Sequence, residues 1–450
     1  MRAPRSLNVL TVLALAGAAL GARPGAALED PAAQARVTRF DNGLVVLTLE
    51  DRTTPIVSFQ MWVDVGSSDE SRYTGLAHLF EHMMFKGSTH IAPEQHAQLI
   101  SARGGRVNAF TTRDFTVYFE DVTSESLPLV IDLEHERVAN LDISERTLES
   151  EREVVLEERR MRTEDSPFGR VYEALFPLVW QAHPYRWPVI GWRSDIEKAT
   201  VASCRTFFDA YYSPNNMLIA LVGDFDSAVA LAQLERTFGA LPPAAEIPRN
   251  PTEEPAQDGE RRAIVYFGAN SPILAAAWHA PPTGHPDIEA LDVLSVVLSD
   301  GRSSRLYRSL VYEAQQALSA SGSYLEMVDA GAFLAFAGVR PDASIERVEE
   351  LFFAEIERVR REPVSESELE KAKRQLEVEL VNGLAANHAI AARIARDYAT
   401  FGRIRPLDER LERIRAVTAE DVQRVARTYL IDAARSVVRL VPPPSAERGE

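Results

Sequence analysis

The 450-residue chain contains one cysteine, Cys204, so no internal disulfide can staple it and its stability must come from burial. At 46% hydrophobic residues, a chain of this length can fill the cores of two or three domains. Cys204 lies in VASCRTFFDAYY, where apolar residues recur at helical spacing, which reads as a buried, inert thiol. Positive charge is also in deficit. A net charge of −17 repels phosphate backbones and anionic lipid headgroups, so neither nucleic acid nor a membrane is an expected partner. Long apolar runs are confined to the first residues, where Arg2 and Arg5 precede a stretch from Leu7 to about Gly21 and small residues end at Ala26 and Ala27. That stretch is shorter than the roughly 20 residues a membrane span needs. It has the layout of a cleavable secretory signal over residues 1–27, implying an exported, periplasmic or secreted, soluble chain; an amphipathic mitochondrial presequence is the alternative. Histidine-rich tracts are absent too, which argues against a metal-storage module.

What is present is a doubled α+β pattern. RVTRFDNGLVVLTLEDRTTPIVSFQMWVDVGS reads as a strand, a turn around Asp41 to Gly43, a second strand, and a third from Ile56 to Val65. Residues 241–262, rich in Pro, Glu and Ala and without apolar periodicity, read as a linker. It separates an N-terminal domain, 28–240, from a C-terminal domain, 263–442, with 443–450 as a tail. The second half repeats the first: the stretch from Ile196 through VASCRTFFDAYYSPNNMLIALVGDFD parallels that from Ile414 through AEDVQRVARTYLIDAARSVVRLVPPP. Likewise, GLAHLFEHMMFKGS, with a helix ending at Gly87, parallels EALDVLSVVLSDGRSS, with one ending at Gly301. Two similar α+β domains facing each other across a cleft are the simplest reading; chance similarity of amphipathic helices is the alternative.

Within GLAHLFEHMMFKG, His78, Glu81 and His82 stand at i, i+3 and i+4, on one face of a helix. Two imidazoles one turn apart can hold one Zn²⁺, and the carboxylate between them can take a proton from water. A satisfied His–Glu pair on a surface helix is the bland alternative. The repeat supplies an internal control, because the matching residues of the second half are Asp292, Ser295 and Val296, which cannot form such a site. A catalytic zinc needs a third protein ligand. SERTLESEREVVLEERRMRTEDSP offers it: Leu148, Val154, Val155 and Met161 predict an apolar stripe that carries Glu151 and Glu158, while Glu153 and Glu157 point elsewhere and Arg146, Arg152, Arg159 and Arg160 form a solvated face. Glu158 is the expected ligand, and Glu151 the expected support behind a histidine.

HLFEH followed by EREVVLEERRM resembles the pitrilysin, insulysin and mitochondrial-processing-peptidase family of inverted-motif zinc peptidases, in its bacterial processing-peptidase-like branch. The likeness spans nearly the whole mature chain, including HPYRWPVIGWRSDIE and YYSPNNMLIALVGDF. It implies two homologous domains, each a mostly antiparallel sheet packed with helices, one Zn²⁺ on His78, His82 and Glu158, and Glu81 as the catalytic base. It further implies that peptide substrate is added as a strand along Asn108, Ala109 and Phe110, in GGRVNAFTTRDFTVYF, and that the chain works as a dimer. One departure stands out. Active relatives resemble LRE-x-x-GLAYS in the second domain, whose arginine and tyrosine reach the site; here Val311 and Leu318 occupy those positions. A related partner subunit supplying both donors is therefore expected, with compensation by Arg305 or Tyr307, a homodimer, and a non-catalytic assembly subunit of the same fold as alternatives.

Overall fold

Eleven strands among the described residues form two sheets. The computed structural model describes residues 30–444, so the expected signal, 1–27, and residues 445–450 of the expected tail lie outside it. The first sheet comprises β1 (Arg36–Arg39), β2 (Val45–Glu50), β3 (Ile56–Val63), β4 (Arg106–Thr111), β5 (Thr116–Thr123) and β6 (Met217–Gly223), in the order β1-β2-β6-β3-β5-β4. The second comprises β7 (Arg261–Tyr266), β8 (Ile273–Ala280), β9 (Ala317–Leu325), β10 (Gly331–Val339) and β11 (Arg435–Val441), in the order β7-β11-β8-β10-β9. With β1 set aside the two orders correspond strand for strand. Each contains one parallel pair, β2 with β6 and β7 with β11, in an otherwise antiparallel ladder.

The sequence repeat has a local cause in this arrangement. Helices Val201–Tyr211 and Ala419–Tyr429 each open on a threonine, Thr200 or Thr418, whose side chain accepts from the backbone three residues on, and each leads into an interior strand, β6 or β11. β6, MLIALVG, is buried along its whole length because both faces of its sheet are covered.

The coverage is reciprocal between the halves. Helix Asn387–Phe401, from the second half, lays Ile390, Ala391, Ile394 and Ala395 on the outer face of the first sheet, against Leu47, Trp62 and Val117. Helix Pro167–Val179, from the first half, lays Val171, Leu175 and Val179 on the second sheet, against Ala275, Ala277 and Leu440. Each such buried valine, leucine or isoleucine stabilises by about 1.5–3 kcal/mol, so removing either helix exposes a whole sheet face.

Residues 241–260 carry no helix or strand, and β7 begins at Arg261. They form a strap rather than a loose spacer: Arg249 Nη1 donates to Asp69 at 3.1 Å, and Glu254 accepts the backbone N–H groups of Gln181, Ala182 and His183 at 2.8–2.9 Å. Cys204 is buried, and burial pushes its thiol up to about 11. Among the described residues no helix is long and apolar enough to cross a membrane.

Candidate metal centre

The helix Leu76–Met83 begins at Gly75, whose φ of 89° lies in the left-handed region and whose missing Cβ leaves room for Ile190 O, 2.7 Å from where it would sit. Its unpaired N-terminal amides are met by Glu70, fully buried, which accepts from Gly75 N at 2.7 Å and from Ala77 N at 2.8 Å. A carboxylate at the positive end of the helix fixes its position. Leu76, Leu79, Phe80 and Met83 are buried, with Phe80 stacked 5.5 Å from Phe207. The remaining face presents His78, Glu81 and His82.

The second helix, Glu145–Arg159, starts on Ser144 and packs Leu148, Glu151 and Val155 inward, all fully buried. Here the expected stripe needs correction. Val154 and Met161 are exposed, 45% and 56%, and line the cleft in front of the centre together with Glu153 and Glu157. Adjacent Val154 and Val155 are about 100° apart on a helix and cannot share a face; Leu148 and Val155, seven apart, decide which one goes inside. The solvated arginine face is also only partly solvated. Arg159 is buried, donating to Gly191 O at 2.7 Å, and Arg152 reaches Ala199 O at 2.7 Å. Glu151 and Glu158 do lie on the side that meets the histidines.

Glu158 Oε2 is 3.2 Å from His82 Nε2 and 3.8 Å from His78 Nε2, and the three donor atoms all lie within 4.8 Å of one another. Ligands at about 2.0–2.1 Å around a tetrahedral Zn²⁺ are separated by about 3.3 Å, so this two-imidazole, one-carboxylate set fits that ion with small side-chain adjustments. Behind it, Glu151 Oε2 stands 3.6 Å from His82 Nδ1, and Glu151 is further met by Ser150 Oγ at 3.1 Å and Lys86 Nζ at 3.4 Å. Arg162 Nη1 reaches Glu158 Oε1 at 2.7 Å. Glu81 accepts from Thr111 Oγ1 at 2.6 Å.

The electrostatics favour a cation at this point. Burial and the neighbouring His82 push His78 down to about 4, whereas on His82 burial is outweighed by the Glu151 and Glu158 carboxylates, which raise it to about 9. The Glu158 carboxyl is held below its ordinary range by its contact with His82. Glu81 is raised by burial despite the Thr111 hydrogen bond, the direction a proton-accepting carboxylate needs. Replacing Glu151 with glutamine removes the anion behind His82 and is expected to weaken zinc binding about 10–100-fold, measured by competition with a chromophoric chelator. An unchanged affinity would remove Glu151 from the centre.

The centre opens on a cleft of about 990 Å³. One wall is β4, an edge strand whose only ladder partner among the described residues is β5, so its outer main-chain groups can pair with another strand. Asn108, Ala109 and Phe110 lie on it, one residue before the threonine that holds Glu81. Thr111, Lys86, Arg162 and Glu70 were not singled out from sequence. Lys86 and Arg162 carried a signal, each one helical turn after a ligand; Thr111 and Glu70 become neighbours of the centre only through the tertiary fold.

A second trio of possible ligands, His96, Glu120 and Glu134, is buried nearby. Arg137 already occupies it, donating to Glu134 through Nε at 3.0 Å and lying 3.5 Å from Glu120, so one guanidinium and one proton neutralise the group without a metal. In the second half, Asp292 pairs with Arg410 at 3.2 Å, Ser295 donates to Leu291 O, and Val296 is buried, so the counterpart of the histidine helix is ordinary core. Val311 packs against the second core, and Leu318 is 55% exposed on edge strand β9. Arg305 is buried and held to Glu368 by two hydrogen bonds of 2.8 and 2.9 Å, and its remaining Nη1, though without a partner, is itself buried.

Comparison with known proteins places these features in context. The family model described as insulinase, peptidase family M16, matches residues 45–191, and that described as the peptidase M16 inactive domain matches residues 198–376. The zinc protease PqqE of Helicobacter pylori is 30% identical over 406 residues, covering 89% of this chain and 91% of that protein. An uncharacterized zinc protease of Mycobacterium tuberculosis is 31% identical over 409 residues, covering 89% and 92%. The crystal structure of a protease from Helicobacter pylori superposes with a TM-score of 0.87 at 30% identity, over 91% of this chain and 99% of the other. A peptidase M16 inactive domain from Pseudomonas fluorescens, at 20% identity, shares the fold with a TM-score of 0.81 over 91% and 98%.

Proposed function

Since this chain belongs to the M16, insulinase-type, peptidase family, we propose that it is a zinc metalloendopeptidase acting on short or unfolded polypeptides, exported to the periplasm or beyond. The observation that carries the reading is the convergence of His78 Nε2, His82 Nε2 and Glu158 Oε2 within 4.8 Å, beside a half-buried Glu81 tethered by Thr111. Those three side chains would hold one zinc ion, with Glu151 orienting His82. When bound there, zinc supplies the Lewis acid that makes water nucleophilic near neutral pH and polarises the scissile carbonyl. Glu81 takes the proton of the attacking water and delivers it to the leaving amine. The edge of β4 at Asn108, Ala109 and Phe110 aligns the peptide by main-chain hydrogen bonds, and Thr111, at the end of the same strand, keeps the Glu81 carboxylate aimed across it.

The second half offers no hydrogen-bond donor at Val311 or Leu318, and Arg305 is engaged elsewhere. A related subunit carrying the arginine and tyrosine therefore completes the site. Peptide cleavage should be abolished by a chelator and restored by about one equivalent of zinc per chain, measured with a quenched fluorescent peptide and metal analysis. Cleavage that survives complete metal removal contradicts the reading.

A further inference from the structure

A second hollow, of about 350 Å³, shares a wall with the cleft of the metal centre: Arg162, which touches Glu158 on one side, lines both. Arg113 also lines it. This residue follows β4 by two positions, in the turn that leads into β5, so the hollow adjoins the end of the edge strand. Arg113 is half-buried. Its Nε donates to Tyr185 O at 3.2 Å and its guanidinium carbon is 3.8 Å from the centre of the Phe176 ring, but among the described residues it makes no ion pair. Burial lowers its pKa to about 10 even though the neighbouring Asp114 carboxylate, itself bound to Tyr185, acts in the opposite direction, so the guanidinium is left undercompensated. Arg186, exposed, contributes a third guanidinium, and Phe168 and Tyr172 stand 50% and 40% exposed as aromatic walls. Among the described residues the one carboxylate lining the hollow, Glu173, is already held by Arg159 and Arg170. On a chain of net charge −17, whose cleft rim carries Glu94, Glu153 and Glu157, a pocket with three arginines and no free acid is an anomaly of sign.

We propose that this hollow is a subsite for a carboxylate-bearing side chain of the bound peptide, so that the chain selects acidic residues at one position near the scissile bond and disfavours them elsewhere. The proposal rests on the peptidase reading above and deepens it. The carboxylate pairs with Arg113 and Arg186 by charge-assisted hydrogen bonds, while its methylenes lie between Phe168 and Tyr172. The acidic rim repels the same group at other positions, which makes the preference specific to one register. A free chain terminus carries the same chemistry, so the test separates the two sources.

The test is binding to the zinc-loaded Glu81→Gln full chain, which does not depend on turnover. The probes are fluorescent, end-blocked peptides of neutral sequence in which one glutamate, or a matched glutamine, is moved one residue at a time, together with a neutral peptide ending in a free carboxylate. At one register glutamate is expected to bind about 10-fold tighter than glutamine, the effect of one charged hydrogen bond. Arg113→Gln should bring that ratio close to one and Arg186→Gln should reduce it, both leaving the affinity of the glutamine peptide unchanged; Arg113→Lys should retain part of it. Tight binding with a ratio of one at every register, or a ratio that survives both glutamine variants, overturns the subsite while leaving the peptidase reading intact. Discrimination seen only for the free terminus overturns the side-chain assignment. Failure of every peptide to bind overturns the peptidase reading and the subsite with it.

Discussion

Replacing Glu81 with glutamine is expected to lower peptide hydrolysis by about 10²–10⁴-fold while leaving zinc content unchanged, because the amide cannot accept the water proton but keeps the size and position of the side chain. Glu81 is not among the three converging ligand atoms, and its own contact is with Thr111 on the neighbouring strand. Loss of metal and loss of activity should therefore separate at this residue, as they should not at His78, His82 or Glu158. Steady-state kinetics paired with metal analysis on the same preparation checks this. A variant with full activity would show that another group carries the proton.

The second large effect concerns the missing donors. Removal of one oxyanion-stabilising donor typically costs about 10²–10³ in rate, and the positions expected to provide such groups hold Val311, packed into the second core, and Leu318, an exposed aliphatic on an edge strand. If a related subunit supplies those donors, as proposed, the chain purified alone should cleave peptides about 10²–10³-fold more slowly than the complex of the two, with the deficit mainly in kcat. Native mass spectrometry identifies the species assayed. A single chain, or a homodimer of it, that matches the complex turn for turn would show that no second kind of subunit is needed.

How much of this was legible beforehand depended on the range of the interaction involved. His78, Glu81 and His82 follow from helical spacing alone, and the helix Leu76–Met83 carries all three. Glu158 was legible because a carboxylate seven residues from Glu151 had to face inward with it, and the structure puts both beside His82. The same reasoning failed at Val154 and Met161, since counting apolar residues does not say which of two adjacent valines a tertiary neighbour selects. Arg159 escaped for a related reason: a guanidinium can be buried when a backbone carbonyl such as Gly191 O and a carboxylate such as Glu173 are waiting, and neither is near it in sequence. Edge strand β4 beside the histidine helix, Glu70 beneath its first turn, and the exchange of covering helices between the sheets arise from strand order and long-range packing. No local pattern encodes them. The duplication was visible through its capped helices, whose threonines recur at Thr200 and Thr418.

Zinc-edge anomalous diffraction from crystals of the protein tests the central claim most directly. The account predicts a single strong peak bounded by His78 Nε2, His82 Nε2 and Glu158, at about 2.0–2.2 Å from each. A peak elsewhere, for example among His96, Glu120 and Glu134, or no peak from zinc-replete protein, would contradict it.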